Sequence, residues 1–477
     1  QLLMQAVGRA PLVMTSGNRA DEPIAYRKEE AIERLDGIAD WFLMHDRPIH
    51  IRCDDSVTRV VDGAELHVRR SRGCAPAPIQ LPLEFAKPTL AVGGQYKNVF
   101  ALGQGKQAFL SHHLGDLYQY DAYLAFERDV DLYQELFDTR PQLVAHDLHP
   151  DYASSRYAER RAASEGLDRL AVQHHHAHMA SCMAEHGLNE PVIGVCWDGT
   201  GYGLDGAIWG GEFLVGDYVI FHRAAHLRYV RLPGGDQAAR QPWRMAVSQL
   251  ADAGCDVPSL GGMTDRQRQT VEQMVATGLQ SPWTSSAGRL FDAVAALIGS
   301  RSEYSYEGQA AMELEWLAVG MFDEGSYTFA FEESRPLASM AMAEDPLSID
   351  TRPLIRDIAH DVSAGESQKI IARRFHSTLV EMITATCERI RKKSQLNAVV
   401  LSGGVFLNAL LTHETCARLR TAGFRVYRHQ QVPPGDGGLC LGQLAVAAAM
   451  SATSDHAAEP STATPVANPL RGGAPCA

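Results

Sequence analysis

The residues of this sequence best suited to metal binding or acid–base chemistry are five histidines. They lie within the thirteen residues 174–186, in the segment QHHHAHMASCMAEHG. An α-helix has about 3.6 residues per turn, so side chains four positions apart lie on one face. His174 and His178 therefore converge if this segment is helical. Two imidazoles one turn apart form half of a transition-metal site, which needs further oxygen or sulfur ligands. The alternative, from these residues alone, is a polar helix start with solvated histidines.

The pattern around the histidines predicts a strand followed by a helix. Residues 170–172 are apolar and indicate the end of a buried strand. Residues 177–186 have a helical pattern, and Gly187 is a plausible C-terminal stop. On such a helix, His175 and His176 must point away from the face that the other two histidines share.

The oxygen ligands that this pair needs could come from two aspartates elsewhere in the chain. Asp436 lies between two glycines at the start of a predicted helix, in QVPPGDGGLCLGQ, and Asp198 follows the apolar run PVIGVCW. A helix-capping role is the alternative for Asp436. Two imidazoles with one or two carboxylates suit Fe or Zn and leave a position open. Such a cation could contact a nucleotide phosphate.

Three glycine turns stand where apolar strands are predicted to end. Glycine lets backbone amides approach a phosphate, although each turn alone is more typical of an ordinary structural turn. In this order, the three turns resemble the two phosphate loops and the adenosine loop of the actin-like ATPase fold. Their residues are Gly93, Gly94, Lys97 and Asn98, then Asp198, Gly199, Thr200 and Gly201, then Ser402, Gly403, Gly404 and Asn408.

Length and composition limit the class of protein. The 477 residues are enough for two or three domains, and 45% of them are hydrophobic, so a large core can form. No run of about 18 apolar residues predicts a membrane span. The formal charge of −13 argues against a surface that coats nucleic acid. The nine cysteines form no CxxC pair, which favours a reducing cytoplasm.

The positions of the Pro-rich and low-complexity stretches predict two α/β domains. Because the sequence opens with Gln rather than Met and starts inside a predicted domain, we expect it to be N-terminally incomplete. The predicted divisions are a mixed α/β domain at 1–74, a Pro-rich linker at 75–88, a second α/β domain at 89–450 and a disordered tail at 451–477.

Within these divisions, several elements are predicted from periodicity. Residues 10–18 read as a short strand entering a Ser-Gly-Asn turn, and residues 28–44 read as an amphipathic helix. Residues 49–73 and 89–111 predict strands joined by tight turns. Residues 368–393 predict one long helix.

Longer motifs connect the chain to a known family. VQHHHAHMAS, WDGTGYGLDGAIWGGEF, LSGGVFLNALL and PPGDGGLCLGQ resemble the carbamoyltransferase domain shared with the universal tRNA threonylcarbamoyltransferase. LVMTSGNRADEPI and RCDDSVTRV resemble the C-terminal part of a YrdC-like domain. The order of the two domains resembles the HypF carbamoyltransferases of NiFe-hydrogenase maturation. So do SHHLGDL, AHDLHPDY, LPGGDQAARQPWRMA and SYEGQAAMELE.

This resemblance implies the fold class and the reaction. The fold would be a partial YrdC-like α/β domain followed by a two-lobed actin-like ATPase (ASKHA) transferase domain. Carbamate, released from carbamoyl phosphate upstream, would react with ATP and Mg to give carbamoyl-adenylate and pyrophosphate. The transferase domain, with Fe or Zn, would then carbamoylate the C-terminal cysteine of HypE. Full-length members also carry an acylphosphatase-like domain and two four-cysteine zinc motifs, which this sequence does not contain.

Given the reaction that the resemblance implies, the chemistry of individual residues predicts a role for each. The metal ligands would be His174, His178, Asp198 and Asp436. Nucleotide would contact Ser16 and Asn18 in the first domain, and Gly199, Thr200, Gly201, Gly403, Gly404 and Asn408 in the second. Lys97 and Arg289 would stabilise developing negative charge. The alternatives are an ordinary turn for Ser16 and Asn18, and solvation or a structural salt bridge for the two cations.

Three other functions are open at this point. O-carbamoylation of a small molecule is one, although those relatives have the transferase domain first. Threonylcarbamoylation of tRNA is another, which the acidic balance disfavours. The third is a non-catalytic nucleotide-binding module, because the actin-like fold also serves chaperones. The leading prediction has HypE and carbamoyl phosphate as partners, and neither nucleic acid nor a membrane.

Overall fold

The computed structural model describes residues 2–8, 10–19, 22–299, 301, 303–333 and 346–456. The helices are α1 Leu2–Val7, α2 Lys28–Leu35, α3 Tyr120–Leu136, α4 Ala153–Glu165, α5 His174–Glu185, α6 Gln237–Arg240, α7 Trp243–Ala253, α8 Asp265–Thr277, α9 Ala287–Leu297, α10 Gln309–Ala318, α11 Arg352–Ser363, α12 Gln368–Ser394, α13 Ala409–Thr421 and α14 Leu439–His456. Within this part of the chain, no helix combines the length and apolar character that a membrane span requires.

The strands of the same part of the chain are mostly short. They are β1 Val57–Val61, β2 Ala64–Arg69, β3 Ile79–Gln80, β4 Thr89–Ala91, β5 Ala101–Gln104, β6 Gln107–Leu110, β7 Leu143–Asp147, β8 Asp168–Val172, β9 Val192–Trp197, β10 Gly211–Gly216, β11 Phe221–Leu227, β12 Val230–Arg231, β13 Trp283–Thr284, β14 Ala330–Glu333, β15 Leu347–Asp350, β16 Ala398–Ser402 and β17 Arg425–Arg428.

Two large mixed sheets repeat one strand order. The six-stranded sheet runs β3-β6-β5-β4-β7-β8, and the seven-stranded sheet runs β14-β15-β11-β10-β9-β16-β17. In the first sheet, β4, β5 and β6 form an antiparallel meander, and β7 and β8 are added in parallel on the other side of β4. In the second sheet, β9, β10 and β11 form the same meander, and β16 and β17 are added in parallel on the other side of β9. This duplicated order is that of the two lobes of the actin-like ATPase fold. The predicted fold class is confirmed.

The two sheets enclose a central pair of helices. Helix α14 packs on the six-stranded sheet, α5 packs on β9 and β16, and the two helices pack against each other. Strand β9 is buried on both faces, which explains its unbroken apolar sequence. Its residues Ile193 and Val195 face the helices α7, α9 and α12, while Val192 and Cys196 face α5. The helix that carries the histidines is therefore held on every side.

The N-terminal part is less buried than the two lobes. Among the described residues from 2 to 50, none is buried, and Val13, Trp41 and Leu43 are more than nine-tenths exposed. The β1–β2 hairpin, in contrast, docks on the second domain. Arg59 forms an ion pair with the buried Glu315 of α10 at 2.8 Å.

Several predicted elements are confirmed, and two in the first domain are wrong. Helix α12 and the three strands within 89–111 form as predicted. The predicted helix 28–44 ends at Leu35, because Gly37 adopts a left-handed φ of 76° that a helix cannot continue through. Residues 10–18 form no strand: their backbone pairs with no strand of the described residues, and Val13 and Met14 are 99% and 76% exposed.

Three further differences concern boundaries. The Pro-rich stretch 75–88 was predicted as a linker, yet Ile79 and Gln80 pair with β6 at the sheet edge. Strand β8 is also an edge strand, so the predicted burial of residues 170–172 holds only at Val172. In the predicted tail, residues 451–456 continue α14, and 457–477 lie outside the described residues. The domain boundaries themselves stay a prediction.

The closest approach of the central helices generates a stability prediction. A Cβ at Gly442 of α14 would lie 1.8 Å from the carbonyl oxygen of Ala177, which lies between His174 and His178 along α5. We expect Gly442→Ala to separate the helices, to lower the free energy of unfolding by about 1–3 kcal/mol or more, and to weaken Zn²⁺ binding. Denaturant unfolding and a Zn²⁺ titration measure both effects. Ser451→Ala, near the end of the same helix, is the control, and equal behaviour of the two variants would contradict this prediction.

Candidate metal and nucleotide site

The structure brings the four predicted metal ligands together at the N-terminal end of α5. His178 Nε2 lies 2.8 Å from Asp198 Oδ2 and 3.7 Å from Asp436 Oδ1. His174 Nε2 lies 3.6 Å from Asp436 Oδ1 and 4.0 Å from Asp198 Oδ2. One ligand atom of each residue lies within 4.8 Å of the others. Asp198 follows β9 and Asp436 opens a 3₁₀ turn before α14, so the cluster joins elements from both lobes.

Helix α5 starts at His174, three residues earlier than predicted. Gln173 is its N-cap, and the Gln173 side chain accepts a hydrogen bond from His176 N at 2.9 Å. His176 points away from the cluster, as predicted, whereas the centroid of the His175 ring stays 5.3 Å from that of His174 and 6.3 Å from that of His178. His176 Nε2 lies 2.7 Å from the carbonyl oxygen of Asp217. The His175 ring lies next to that of Trp209.

The ligand atoms fit a bound cation. Among the described residues, His174 Nε2, His178 Nε2 and Asp198 Oδ2 are buried and have no hydrogen-bond partner of acceptable geometry. An unsatisfied buried polar atom is destabilising by about 1–3 kcal/mol, and by more for a charged group. These atoms face one another, so a single cation can satisfy all of them. The set of two imidazoles and two carboxylates fits Fe or Zn.

Asp147 is a further member of the cluster that sequence reasoning missed. Its Oδ2 lies 2.7 Å from His174 Nδ1, and its Oδ1 accepts a hydrogen bond from His149 N at 2.8 Å. A carboxylate that accepts from Nδ1 leaves the Nε2 lone pair free for a metal. The available signal was its place at the end of the apolar stretch QLVAHD, where parallel strands of α/β folds carry functional residues.

The electrostatics of the cluster couple its acids and bases. Burial opposes the charged imidazolium, but Asp147 and the neighbouring carboxylates raise the pKa of His174 well above its usual value. Against the same burial, Asp198 and Asp436 raise the pKa of His178. Burial would also raise the pKa of Asp198, yet the two imidazoles hold it well below its usual value. Protons therefore occupy this cluster when a metal does not.

The three predicted glycine turns surround the cluster. A Cβ at Gly94 would lie 3.2 Å from Asp436 Oδ2, and one at Gly404 would lie 3.0 Å from Asp198 Oδ1. A Cβ at Gly201 would lie 2.8 Å from the ring of His174. Gly403 has a φ of 99°, and any side chain there would collide with the carbonyl oxygen of Trp197. These positions require glycine because backbone and ligand side chains meet there.

The two predicted catalytic cations lie at the rim and are paired with carboxylates. Lys97 Nζ lies 2.8 Å from Glu307 Oε2; burial opposes the charge, but Glu307 raises the pKa of Lys97. Arg289 Nε lies 2.8 Å from Asp292 Oδ2. Burial raises the pKa of Asp292 to about 6, against the effect of Arg289. Gly199 is adjacent to both Glu307 and Arg289. Their catalytic roles stay a prediction.

Two of the remaining predicted nucleotide residues, Asn408 and Asn18, make contacts outside the cluster. Asn408 caps α13 by accepting from Leu411 N at 2.9 Å, and its Nδ2 lies 2.9 Å from His376 Nε2. Asn18 Nδ2 donates to the carbonyl oxygen of Glu22 at 3.0 Å within its own turn. Ser16 belongs to the same turn, and Thr200 is half-buried beside Gly199 and Gly201. Their contacts with a nucleotide stay a prediction.

An actin-like fold in which glycine turns surround a cluster of histidines and aspartates is typical of metal- and nucleotide-dependent proteins. Residues 194–443 match the family model "Carbamoyltransferase, Kae1-like Domain, second subdomain", and residues 84–185 match "HypF Kae1-like domain". Residues 1–71 match the Sua5/YciO/YrdC model, described as "Telomere recombination". The chain belongs to the HypF carbamoyltransferase family.

Individual relatives agree with the family models. Carbamoyltransferase HypF2 of Cupriavidus necator is 42% identical, over 91% of this chain and 56% of that protein. A HypF homolog of the same organism is 37% identical, over 76% of this chain and 91% of its own length. A crystal structure of full-length HypF in the phosphate- and nucleotide-bound form has a TM-score of 0.86 and 42% identity, over 94% of this chain and 57% of that one. The chain thus spans a little over half the length of these longer relatives.

The Asp147–His174 contact predicts the effect of a tautomer change. In Asp147→Asn, an amide that still accepts from His149 N turns its own donor toward His174 Nδ1, which forces the imidazole proton onto the ligand atom Nε2. We expect Zn²⁺ affinity to fall about 10–100-fold. Chelator competition measures it, with Asp151→Asn as the matched control because Asp151 is exposed and pairs with Arg156. Equal affinities for the two variants would contradict the orienting role.

The raised histidine pKa values predict pH-dependent metal binding. Both imidazoles hold protons to a higher pH than usual in the cation-free site, and a metal binds only the neutral rings. We therefore expect Zn²⁺ affinity to rise with pH across the neutral range, and each bound ion to release protons. Calorimetry in buffers of different ionisation enthalpy counts those protons. Affinity that does not change with pH, without proton release, would show that these imidazoles are not the ligands.

Proposed function

We propose that this chain carries the transfer step of an ATP-dependent carbamoyltransferase. In this proposal, carbamoyl phosphate supplies the carbamoyl group, carbamoyl-adenylate carries it, and the C-terminal cysteine of HypE accepts it for the cyanide ligands of NiFe hydrogenase. The observation that carries the proposal is the convergence of His174, His178, Asp198 and Asp436 between three glycine turns in a HypF-family chain. The scattered cysteines favour a cytoplasmic reaction.

The exposure of the ligands suggests where an adenylate phosphate would bind. The two histidine side chains are fully buried, with exposed fractions of 0% and 1%, whereas those of Asp198 and Asp436 are 11% and 13% exposed. The open side of the cluster therefore lies toward the carboxylates. Gly199 and Gly404 line this side, and their backbones leave room for a phosphate.

Charge balance explains why a cation is needed. Asp198, Asp436 and Asp147 would repel the phosphate of an adenylate, because like charges in a buried site interact strongly. A bound Fe or Zn ion, with Mg accompanying ATP, would supply the offsetting charge and act as a Lewis acid. Lys97 and Arg289 would add positive charge at the rim after exchanging their carboxylate partners for the phosphate.

The reaction also needs shelter from water. Carbamate decomposes in water, so its activated form must pass directly between sites. The β1–β2 hairpin of the YrdC-like part contacts α10 and the start of α13 through Arg59, whose partners are Glu315 and the carbonyl oxygen of Leu407. Leu407 directly precedes Asn408 and follows the third glycine turn. This contact places the hairpin of the YrdC-like part beside the third glycine turn, where the proposal has the adenylate bind.

A peptide assay tests the proposed function. The chain, and a fusion in which the upstream portion of Cupriavidus HypF2 precedes residue 1, are each incubated with ATP, Mg²⁺, Zn²⁺ or Fe²⁺, a carbamate source and a HypE C-terminal peptide. Carbamoyl phosphate is the source for the fusion, and ammonium bicarbonate for the chain alone. We expect one carbamoyl group on the terminal cysteine, and loss of transfer in a His174→Ala/His178→Ala double variant.

Two controls make the assay specific. A peptide ending in serine should gain no carbamoyl group, since a thiolate is the stronger nucleophile near neutral pH. The exposed-site variant Asp151→Asn should transfer as well as the wild type. Failure of both the chain and the fusion to modify the cysteine peptide would reject the proposal. Transfer by the fusion alone would limit the activity of this chain to the part that follows adenylation.

A further inference from the structure

The face of α5 that carries the two histidines continues as a buried polar stripe. His174, His178, Ser181 and Glu185 follow at intervals of four, three and four residues, which keeps them on one side of a helix. All four are buried. A polar stripe in this position is unusual in a helix core, where polar groups are retained only when they are paired. The lower half of the stripe therefore needs its own explanation.

Glu185 is paired through two buried residues with the metal ligand His178. Glu185 Oε2 lies 3.0 Å from His429 Nδ1, and His429 Nε2 lies 2.9 Å from Ser402 Oγ. Ser402 Oγ in turn lies 3.4 Å from His178 Nδ1. The exposed fractions of Ser402 and His429 are 0% and 1%. The four residues come from the helix α5, the end of β16 and the residue after β17.

If His178 binds a cation, the donor and acceptor of each hydrogen bond between His178, Ser402, His429 and Glu185 are fixed. If His178 binds a cation through Nε2, its proton must be on Nδ1, which can then donate to Ser402 Oγ. The Ser402 hydroxyl is then free to donate to His429 Nε2, and His429 Nδ1–H donates to the Glu185 carboxylate. Each donor finds one acceptor.

The protonation of the two terminal members agrees with that direction. Burial lowers the pKa of His429 despite the nearby Glu185, which keeps the ring neutral. Although burial opposes its charge, His429 and the backbone N–H of Gln431 lower the pKa of Glu185. Glu185 Oε1 accepts from Gln431 N at 2.9 Å. The ionised carboxylate is thus fixed by backbone groups just upstream of Asp436.

A hydrolase triad of serine, histidine and glutamate has the same residue order, but the surroundings exclude that role. Ser402 has no exposed surface, and its hydroxyl is enclosed by His178, His429 and the carbonyl oxygen of Pro434. A nucleophile must reach a substrate carbonyl. The hydrogen-bonded series Glu185–His429–Ser402 ends instead at His178, a predicted metal ligand.

We propose that Glu185, His429 and Ser402 are positioning residues that fix the tautomer and orientation of His178 for metal binding. They act on His178 as Asp147 acts on His174, so each imidazole ligand has its own buried carboxylate anchor. Ser181 supports the same arrangement, because its hydroxyl donates to the carbonyl oxygen of Gly438 at 2.8 Å and so holds the turn that carries Asp436. This inference rests on the metal binding in the proposed function, and not on the nature of the acceptor.

Co²⁺ is the probe that tests this inference, because its visible absorption reports coordination geometry and its affinity can be measured without nucleotide or acceptor. We expect Ser402→Ala to weaken Co²⁺ binding about 10–100-fold and to shift the visible spectrum, because His178 Nδ1–H loses its acceptor. Ser402→Cys retains a weak donor and acceptor of similar size, so its affinity should lie between those of the wild type and Ser402→Ala. Glu185→Gln should also weaken binding, through a less polarised His429.

The matched control is Ser248→Ala. Ser248 lies in α7 and, like Ser402, is buried. Its hydroxyl donates a hydrogen bond to the carbonyl oxygen of Arg231 at 2.6 Å. A merely structural role for Ser402 predicts that both alanine variants lose thermal stability while Co²⁺ affinity and spectrum stay within about twofold of the wild type, and that result would overturn the inference. A wild-type protein that binds no Co²⁺ would overturn it as well. If the wild-type protein binds Co²⁺ but does not carbamoylate the peptide, that result would count only against the proposed function.

Discussion

Two imidazole nitrogens and two carboxylate oxygens meet within 4.8 Å at a place that water hardly reaches. Such a group is stable only if protons or a cation neutralise the carboxylates and use the nitrogen lone pairs. Several surrounding features stabilise this arrangement of histidines and carboxylates. Asp147 fixes His174, and glycine turns leave the open side of the carboxylates free of side chains.

The helix α5 can meet the condition because it lies between two sheets. It is packed on β9 and β16 on one side and on α14 on the other, where Gly442 allows backbone contact at Ala177. A helix so enclosed cannot rotate or slide without breaking the core on both sides. The two histidines at its N-terminal end are therefore held rigidly, and Asp198 and Asp436 reach them from the end of β9 and from the turn before α14.

The YrdC-like part depends on the second domain in a simpler way. Its β1–β2 hairpin is anchored by Arg59 on Glu315, and Glu315 Oε1 also accepts from Ala409 N at the start of α13. One buried carboxylate therefore serves both the interdomain contact and the helix that follows the third glycine turn. The contact fixes the hairpin beside the segment that the family resemblance assigns to nucleotide.

The sequence by itself determined the features that depend on local periodicity and on family motifs. The spacing of His174 and His178, the long helix α12, the strands within 89–111 and the fold class all follow from such patterns. The limit of α2 at Leu35 and the exposed residues 10–18 did not follow, because apolar periodicity does not show whether a partner surface covers it. Only the tertiary structure decided that Asp147 anchors His174 and that Glu185, His429 and Ser402 lead to His178. These contacts join residues from 27 to 244 positions apart, and what brings them together is the packing of strand ends around α5 rather than any spacing along the chain.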